Sequence, residues 1–127
     1  MKPPRSKDES VDILRDEFLR ERAVVLGRAG TAVEDAIAEL TKLDQEIQIK
    51  KEQLQSLVFD AQTLLNEKKL LVEEINLDIE QFNIVIEKAK LKYYYLIVTR
   101  EAMGLRRHKM IQELYIIPKK KKKIRDI

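Results

Sequence analysis

The chain contains no cysteine and no tryptophan, and it has only three glycines and three prolines in 127 residues. Without cysteine it forms neither a disulfide nor a thiolate metal site, which mildly favours an intracellular setting. No apolar run approaches the roughly 18 to 20 residues of a membrane span. The N-terminus leads into charged residues rather than an apolar signal core. We therefore expect neither a transmembrane segment nor secretion.

The motifs of catalytic sites are also missing. The sequence has no glycine-rich phosphate loop and none of the HExxH, CxxC and GxSxG patterns, and its single histidine, His108, has no second histidine to share a metal. Carboxylate pairs such as Glu73 and Glu74 fall on a solvated helix surface rather than in a pocket. We expect a non-enzyme with no cofactor, no metal site and no small-molecule substrate.

An uninterrupted heptad pattern dominates the chain between Gly30 and Gly104, where neither glycine nor proline occurs. A 3.5-residue apolar period held over about ten heptads is typical of a coiled coil. The predicted fold class is all-α, with a long extended helix that forms a coiled coil or multi-helix bundle with other chains and is preceded by a short N-terminal helix. The residues expected to pair helices along this seam are Leu40, Leu43, Ile47, Leu54, Leu57, Leu64, Leu71, Ile75, Phe82, Val85 and Leu96.

Two boundaries are predicted near the N-terminus. The consecutive prolines Pro3 and Pro4 predict a disordered lead over residues 1–5. The capping-box pattern that begins at Ser6 predicts a short amphipathic helix over residues 6–30. One face of this helix carries apolar side chains, namely Val11, Leu14, Phe18 and Val25.

Two further boundaries define the long helix. Gly30 suits the left-handed position after a helix end, and a second capping box starts directly after it at Thr31. Pro118 is expected to end the helix. These signals predict a coiled-coil helix over residues 31–117 and a mobile basic tail over residues 118–127.

Two alternatives remain open from the residues. One is a single continuous helix that carries Gly27 and Gly30 in its interior, at a cost of about 1 kcal/mol for each glycine relative to alanine. The other is a helical hairpin within residues 31–103. Such a hairpin would turn on an asparagine, for which the candidates are Asn66, Asn76 and Asn83.

A second apolar row appears from residue 70 onward. It repeats every seven residues and lies nearly opposite the seam, whereas a third row from Val58 to Tyr93 widens the seam itself. A helix that is apolar on two sides is buried by more than one neighbour. We therefore expect another chain to cover this second face, which consists of Leu70, Leu77, Ile84, Leu91 and Val98.

Some seam positions are polar. Lys50, Lys68, Asp78, Lys92 and Thr99 stand where an apolar residue would stabilise more. Such residues disfavour wrong registers, and a lysine and an aspartate on opposed helices can pair. The alternative is that the long side chains simply reach solvent.

The densest aromatic cluster is Tyr93, Tyr94 and Tyr95. Three adjacent helix positions point in three directions, so at least one ring is expected to face outward. Because tyrosine offers a large contact area with a polar tip, the cluster is a candidate anchor for a partner. The alternative is ordinary bundle packing with one exposed ring.

The C-terminal end is strongly basic. From Arg100 onward ten basic and three acidic residues give a charge of +7, whereas the rest of the chain carries −4. Such a block is typical of segments that interact with an acidic surface. The residues expected to dock on it are Arg106, Arg107, Lys109, Lys119, Lys120, Lys121, Lys122, Lys123 and Arg125.

These patterns favour a structural or adaptor coiled-coil subunit of a larger intracellular assembly, cytoskeletal or tethering, located in the cytoplasm. Its expected partners are other helical chains, in a homo- or hetero-oligomer, together with an acidic protein surface. The alternative is a nuclear, nucleic-acid-associated factor, because five consecutive lysines after a proline resemble a nuclear import signal and also suit phosphate binding.

Overall fold

A helical hairpin forms the body of the protein. The computed structural model describes residues 7–57 and 62–125, and their side chains over 9–57 and 65–125. Its helices are α1 (Lys7–Ser56), α2 (Gln62–Ala102) and α3 (Lys109–Leu114), and these described residues contain no strand. The all-α class is therefore confirmed. A coiled coil with other chains stays a prediction.

Helix α1 runs without a break through Gly27 and Gly30, so the predicted boundary at residue 30 is wrong. Neither glycine has a positive φ, which the left-handed stop would require. The apolar contacts on either side explain the continuation, because Leu26 and Ala29 pack with Val33 in one cluster. That shared burial offsets the cost of two helical glycines.

The seam predicted to join several chains is closed within this chain. Helix α2 lies antiparallel to α1, as shown by the ion pairs that Lys50 makes with Asp78 and Lys88 makes with Glu39. The single helix over 31–117 is therefore wrong, and the hairpin alternative holds. The reversal falls between Ser56 and Gln62, not at an asparagine. A partner helix from the same chain pairs without the entropy loss of association.

The hairpin core consists of two clusters of buried residues. The larger one contains Ala36, Leu40, Ile47, Ile75, Ile79, Phe82, Val85, Ile86 and Ala89, against which Leu43, Leu54 and Leu71 pack. The smaller one contains Val33, Leu96 and Ile111 of α3. Leu57 is half-buried, and Leu64 lies outside the described side chains. Apart from Leu57 and Leu64, the predicted seam residues thus lie in or against the core of one molecule.

Helix α2 ends at a glycine rather than at the proline predicted to end it. Gly104 has φ 85°, a left-handed conformation that glycine adopts without strain. The Gly104 amide donates to the Glu101 carbonyl, and the Leu105 amide donates to the Arg100 carbonyl, each at 2.9 Å. These two bonds form a Schellman motif. The chain therefore leaves the helix fourteen residues before Pro118 and turns back.

The residues after α3 return along the hairpin as a segment without helix or strand, residues 116–125, which we call the strap. It lies between α1 and α2, where Lys121 meets Asp44 of α1 and Asn83 of α2. The mobile basic tail predicted over 118–127 is therefore wrong for residues 118–125, because backbone hydrogen bonds and ion pairs hold it. Residues 126 and 127, like the predicted lead over 1–5, lie outside the described residues.

The first turns of α1 extend past the end of α2. Arg22 donates a hydrogen bond to the Met103 carbonyl at the end of α2. Residues 7–21, the N-terminal arm, precede that contact and continue for about 22 Å. Every residue from Glu9 to Glu21 is exposed. No described helix combines the length and apolar content needed to cross a membrane.

Candidate interaction surfaces

The second face of α2 is exposed along its whole length. Leu70 and Leu77 each expose about two thirds of their surface, 66 % and 65 %, and the row continues through Ile84, Leu91 and Val98. The opposite side of α2 packs on α1 through the residues of the larger core cluster, such as Ile75 and Ile79. No described residue covers the second face. The row therefore has the exposure that the sequence predicts for an uncovered partner face.

The three tyrosines separate into one packed and two exposed rings. Tyr93 packs against the smaller core cluster. Tyr94 and Tyr95 are exposed, with ring centroids 6.1 Å apart. Tyr95 stands four residues after Leu91, and Val98 stands four residues after Tyr94, so both rings adjoin the second face. The two outer tyrosines thus extend that face.

The N-terminal arm carries a second uncovered apolar surface. Leu14 and Phe18 expose 64 % and 59 % of their surface, and Val11 and Leu19 are exposed as well. The Arg22 guanidinium lies 5.4 Å from the centre of the Phe18 ring, a cation–π contact. The arm has the apolar face predicted for a separate N-terminal helix, but it is the first part of the longer helix α1.

Three of the five consecutive lysines pair with carboxylates of the hairpin. The distance between Nζ and the carboxylate oxygen is 2.6 Å for Lys121 and Asp44, 2.8 Å for Lys120 and Glu87, and 3.9 Å for Lys123 and Glu80. The hydrogen bond from Lys120 lowers the pKa of Glu87. Lys119 and Lys122 are exposed, with no acidic partner in the described part of the chain. Most of the lysine block therefore forms ion pairs within the molecule.

Two asparagines of α2 hold the strap by its main chain. Asn83 Nδ2 donates to the Lys121 carbonyl, and the Lys121 amide donates to Asn83 Oδ1, both at 2.8 Å. Asn76 makes the same pair of bonds with Ile124, at 3.0 and 2.8 Å. Both asparagines are half-buried. Each side-chain amide thus satisfies one donor and one acceptor of the strap.

Most of the remaining basic residues follow the end of α2, whereas Arg125 lies next to Ile124 in the strap. Arg106, Arg107 and Lys109 are exposed and form no ion pair within the described residues. Arg100 is instead part of the local fold, because its Nη2 donates to the Arg107 carbonyl at 2.9 Å and its Nε donates to His108 Nδ1 at 3.3 Å. Arg125 is exposed. Of the predicted docking residues, those that are exposed and form no ion pair with a described residue are therefore Arg106, Arg107, Lys109, Lys119, Lys122 and Arg125.

Both ring nitrogens of His108 contact neighbouring side chains of the fold. Its Nε2 lies 3.1 Å from Glu101 Oε1, while Nδ1 accepts from Arg100. No group of three or more His, Cys, Asp or Glu side chains in the described residues is arranged to hold a metal.

The sequence does not indicate that the strap lies in a groove between α1 and α2. From the sequence, Asn76 and Asn83 are candidates for a turn, and nothing links Asp44 or Phe82 to the lysines. The available signal was two asparagines seven residues apart on one helix, since such residues share a face. Nothing in that spacing indicates which segment they bind.

Comparisons with protein-family models, with curated proteins and with solved structures gave no match to this chain.

Proposed function

We propose that this protein is a non-enzymatic adaptor that binds a helix of another chain along the second face of α2, within a larger intracellular assembly such as a cytoskeletal or tethering complex. The proposal rests on the exposed row of five apolar residues at seven-residue spacing: Leu70, Leu77, Ile84, Leu91 and Val98. A heptad row contacts a nearly parallel partner helix once every two turns. A helical partner therefore fits this face.

Covering this row would remove a large apolar surface from water. Each of the five side chains leaves 42 % or more of its surface in water. Covering these remaining areas contributes on the order of 1 kcal/mol per residue, hence on the order of 5 kcal/mol for the row. Tyr94 and Tyr95 add aromatic contact area beside it. Such a gain supports binding by a partner helix.

The test is to add charge to this face without disturbing the hairpin core. The variant Leu77→Glu, Ile84→Glu, Leu91→Glu should keep its helical circular dichroism and lose its partners. Gln48→Glu, Gln53→Glu, Gln55→Glu is a matched control, because these exposed α1 residues receive the same change of charge. Sedimentation velocity measures self-association, and quantitative pulldown from cells compares the three proteins.

The proposal expects partners that the wild-type protein and the α1 control both retain and that the α2 variant loses. Retention of every partner by the α2 variant would overturn the proposal. Loss from both variants would also contradict it, because the effect would then depend on charge rather than on the apolar row.

A second candidate function is nucleic-acid binding in the nucleus. It is supported by Arg106, Arg107 and Lys109, which are exposed and unpaired within the described residues. Three lysines of the strap already have carboxylate partners, which weakens this candidate. Affinity for a DNA duplex at 50 and 200 mM salt tests it. Binding through five phosphates should fall steeply, by roughly two to three orders of magnitude.

A further inference from the structure

The spacing of the two asparagines on α2 matches the spacing of the strap residues that they bind. Asn76 and Asn83 are seven residues apart on the helix, a rise of about 10.5 Å. Their main-chain partners Ile124 and Lys121 are three residues apart, which spans about 10 Å in an extended chain. Two equal repeats in antiparallel direction therefore fix the register of the strap on the helix.

The asparagine hydrogen bonds contact only main-chain groups of the strap, not its side chains. Asn83 pairs with both polar main-chain groups of Lys121, and Asn76 does so with Ile124. Any residue except proline supplies these groups. The bonds therefore require an extended backbone but leave the identity of the side chains to other contacts.

The groove selects three side chains of the strap. Ile117 and Ile124 pack against the larger core cluster. Between them, Lys121 places its ammonium 2.6 Å from Asp44 and 4.9 Å from the centre of the Phe82 ring. The intervening side chains are exposed, and the ion pairs of Lys120 and Lys123 lie at the surface rather than in the groove. The contacts thus define a pattern of an apolar residue, a lysine four positions later and an apolar residue three positions after that.

We propose that the groove between α1 and α2 is a binding site for extended peptides with this pattern. Its resident ligand is the chain's own segment from Ile117 to Ile124, bound in cis. A peptide of the same pattern occupies the groove when the strap is withdrawn. Lys121 is then a recognition residue, whereas Lys122 on the exposed side of the same segment is dispensable. This site is separate from the second face of α2 and does not depend on the adaptor proposal.

The cis strap has a large advantage over a free peptide. A tethered segment acts at an effective concentration in the millimolar range. A free peptide at micromolar concentration therefore leaves the wild-type protein unlabelled. The groove becomes available to such a peptide once the strap carries unfavourable side chains at two of its three selected positions, as in Lys121→Glu with Ile124→Asp.

The main experiment uses that full-length double variant and a fluorescent peptide with the sequence of residues 115–127. Fluorescence anisotropy should show one peptide bound per double-variant chain and none on the wild-type protein. A peptide with Lys121→Glu should bind at least tenfold more weakly, whereas a peptide with Lys122→Glu, the same change in charge, should bind within threefold. Adding Asn76→Ala and Asn83→Ala to the chain should weaken binding at least tenfold.

Two results would overturn the proposal in this experiment. One is the absence of peptide binding by a double variant whose helical content matches that of the wild-type protein. The other is an equal loss for the Lys121 and Lys122 peptides, which would indicate general charge attraction to the acidic hairpin.

A second measurement needs no variant and so does not depend on the folding of one. In the wild-type protein, hydrogen exchange followed by NMR should be at least tenfold slower at the Lys121 and Ile124 amides than at the Lys122 and Lys123 amides. The first two donate to asparagine side chains, and no hydrogen bond to the described protein is found for the other two. Equal exchange at all four positions would show that the groove does not hold the strap.

Discussion

Lys50 of α1 and Asp78 of α2 form an ion pair across the hairpin, with 2.6 Å between Nζ and Oδ2. Glu74 lies 3.0 Å from the same ammonium. The hydrogen bond with Asp78 is the main cause that raises the pKa of Lys50. Both residues occupy polar positions of the heptad seam, so the pair fixes how the two helices are aligned along their axes.

We expect Asp78→Ala to lower the free energy of unfolding by about 1 kcal/mol at pH 7, since the pair is largely but not fully shielded from water. Lys50→Met supplies the second single variant. Urea unfolding of both single variants and of the double variant gives the coupling energy, which should be about 1 kcal/mol. A coupling near zero would mean that the two side chains only solubilise the seam.

The two helical glycines of α1 provide a direct test of its continuity. A Cβ on Gly27 would meet no atom within 4 Å, and a Cβ on Gly30 would lie 3.7 Å from the Tyr115 hydroxyl, an ordinary contact. Gly27→Ala and Gly30→Ala should therefore each raise the free energy of unfolding by up to about 1 kcal/mol.

Gly104→Ala is the contrasting variant, because its left-handed φ of 85° opposes a side chain. It should lower the stability by about 1 to 2 kcal/mol. Thermal melts followed by circular dichroism check all three glycine variants. A destabilised Gly30→Ala protein would favour a helix break at that residue and contradict the continuous α1.

Tyr115 should make the stability depend on alkaline pH. Its hydroxyl donates to Glu34 Oε1 at 2.6 Å, and this bond is the main cause that raises the pKa of Tyr115 in the folded protein. A group whose pKa rises on folding stabilises below its unfolded pKa, here about 10. This contribution is lost as the pH rises through the higher, folded value.

Tyr115→Phe should therefore be about 1 kcal/mol less stable than the wild-type protein at pH 8. The difference should shrink above about pH 10. Urea unfolding at pH 8 and pH 11 measures it, with Tyr94→Phe as the control because that ring is exposed. A difference between Tyr115→Phe and wild type that is the same at both pH values would show that the bond with Glu34 does not control the titration.

The length of the hairpin predicts its size in solution. Helix α1 has 50 residues and is about 75 Å long, which corresponds to a radius of gyration of about 22 Å for a rod of that length. A compact globule of this chain length would give about 14 Å. A single helix over residues 31–117 would give more than about 35 Å. Small-angle scattering over a concentration series, with the mass taken from the forward intensity, distinguishes the three.

The heptad repeat predicted which residues are buried, but not which helix covers them. Leu40, Ile47, Ile75 and Phe82 are buried as the period requires, because a periodic apolar stripe must be covered by something. The same stripe fits a partner helix from another chain or from the same chain equally well. Only the reversal between α1 and α2 decides this, and no glycine, proline or asparagine marks that reversal in the sequence.

The strap could not be predicted for a different reason. A run of five lysines looks solvated in the sequence because each ammonium is costly to bury alone. The partners that remove this cost, such as Asp44 for Lys121 and Glu87 for Lys120, are more than thirty residues away in sequence. By contrast, the exposed row from Leu70 to Val98 follows directly from its spacing, since its members lie on the side away from the seam.

The Schellman turn at Gly104 also determines how far apart labels near the two ends of the described chain would be. The described chain begins at Lys7, at the tip of the N-terminal arm, and its strap reaches Asn76, near the opposite end of the hairpin. These two points are separated by about 65 Å along the helix axes. Fluorophores attached near Lys7 and Ile124 would therefore transfer energy weakly within one molecule, and strong transfer between them would report contact between separate molecules.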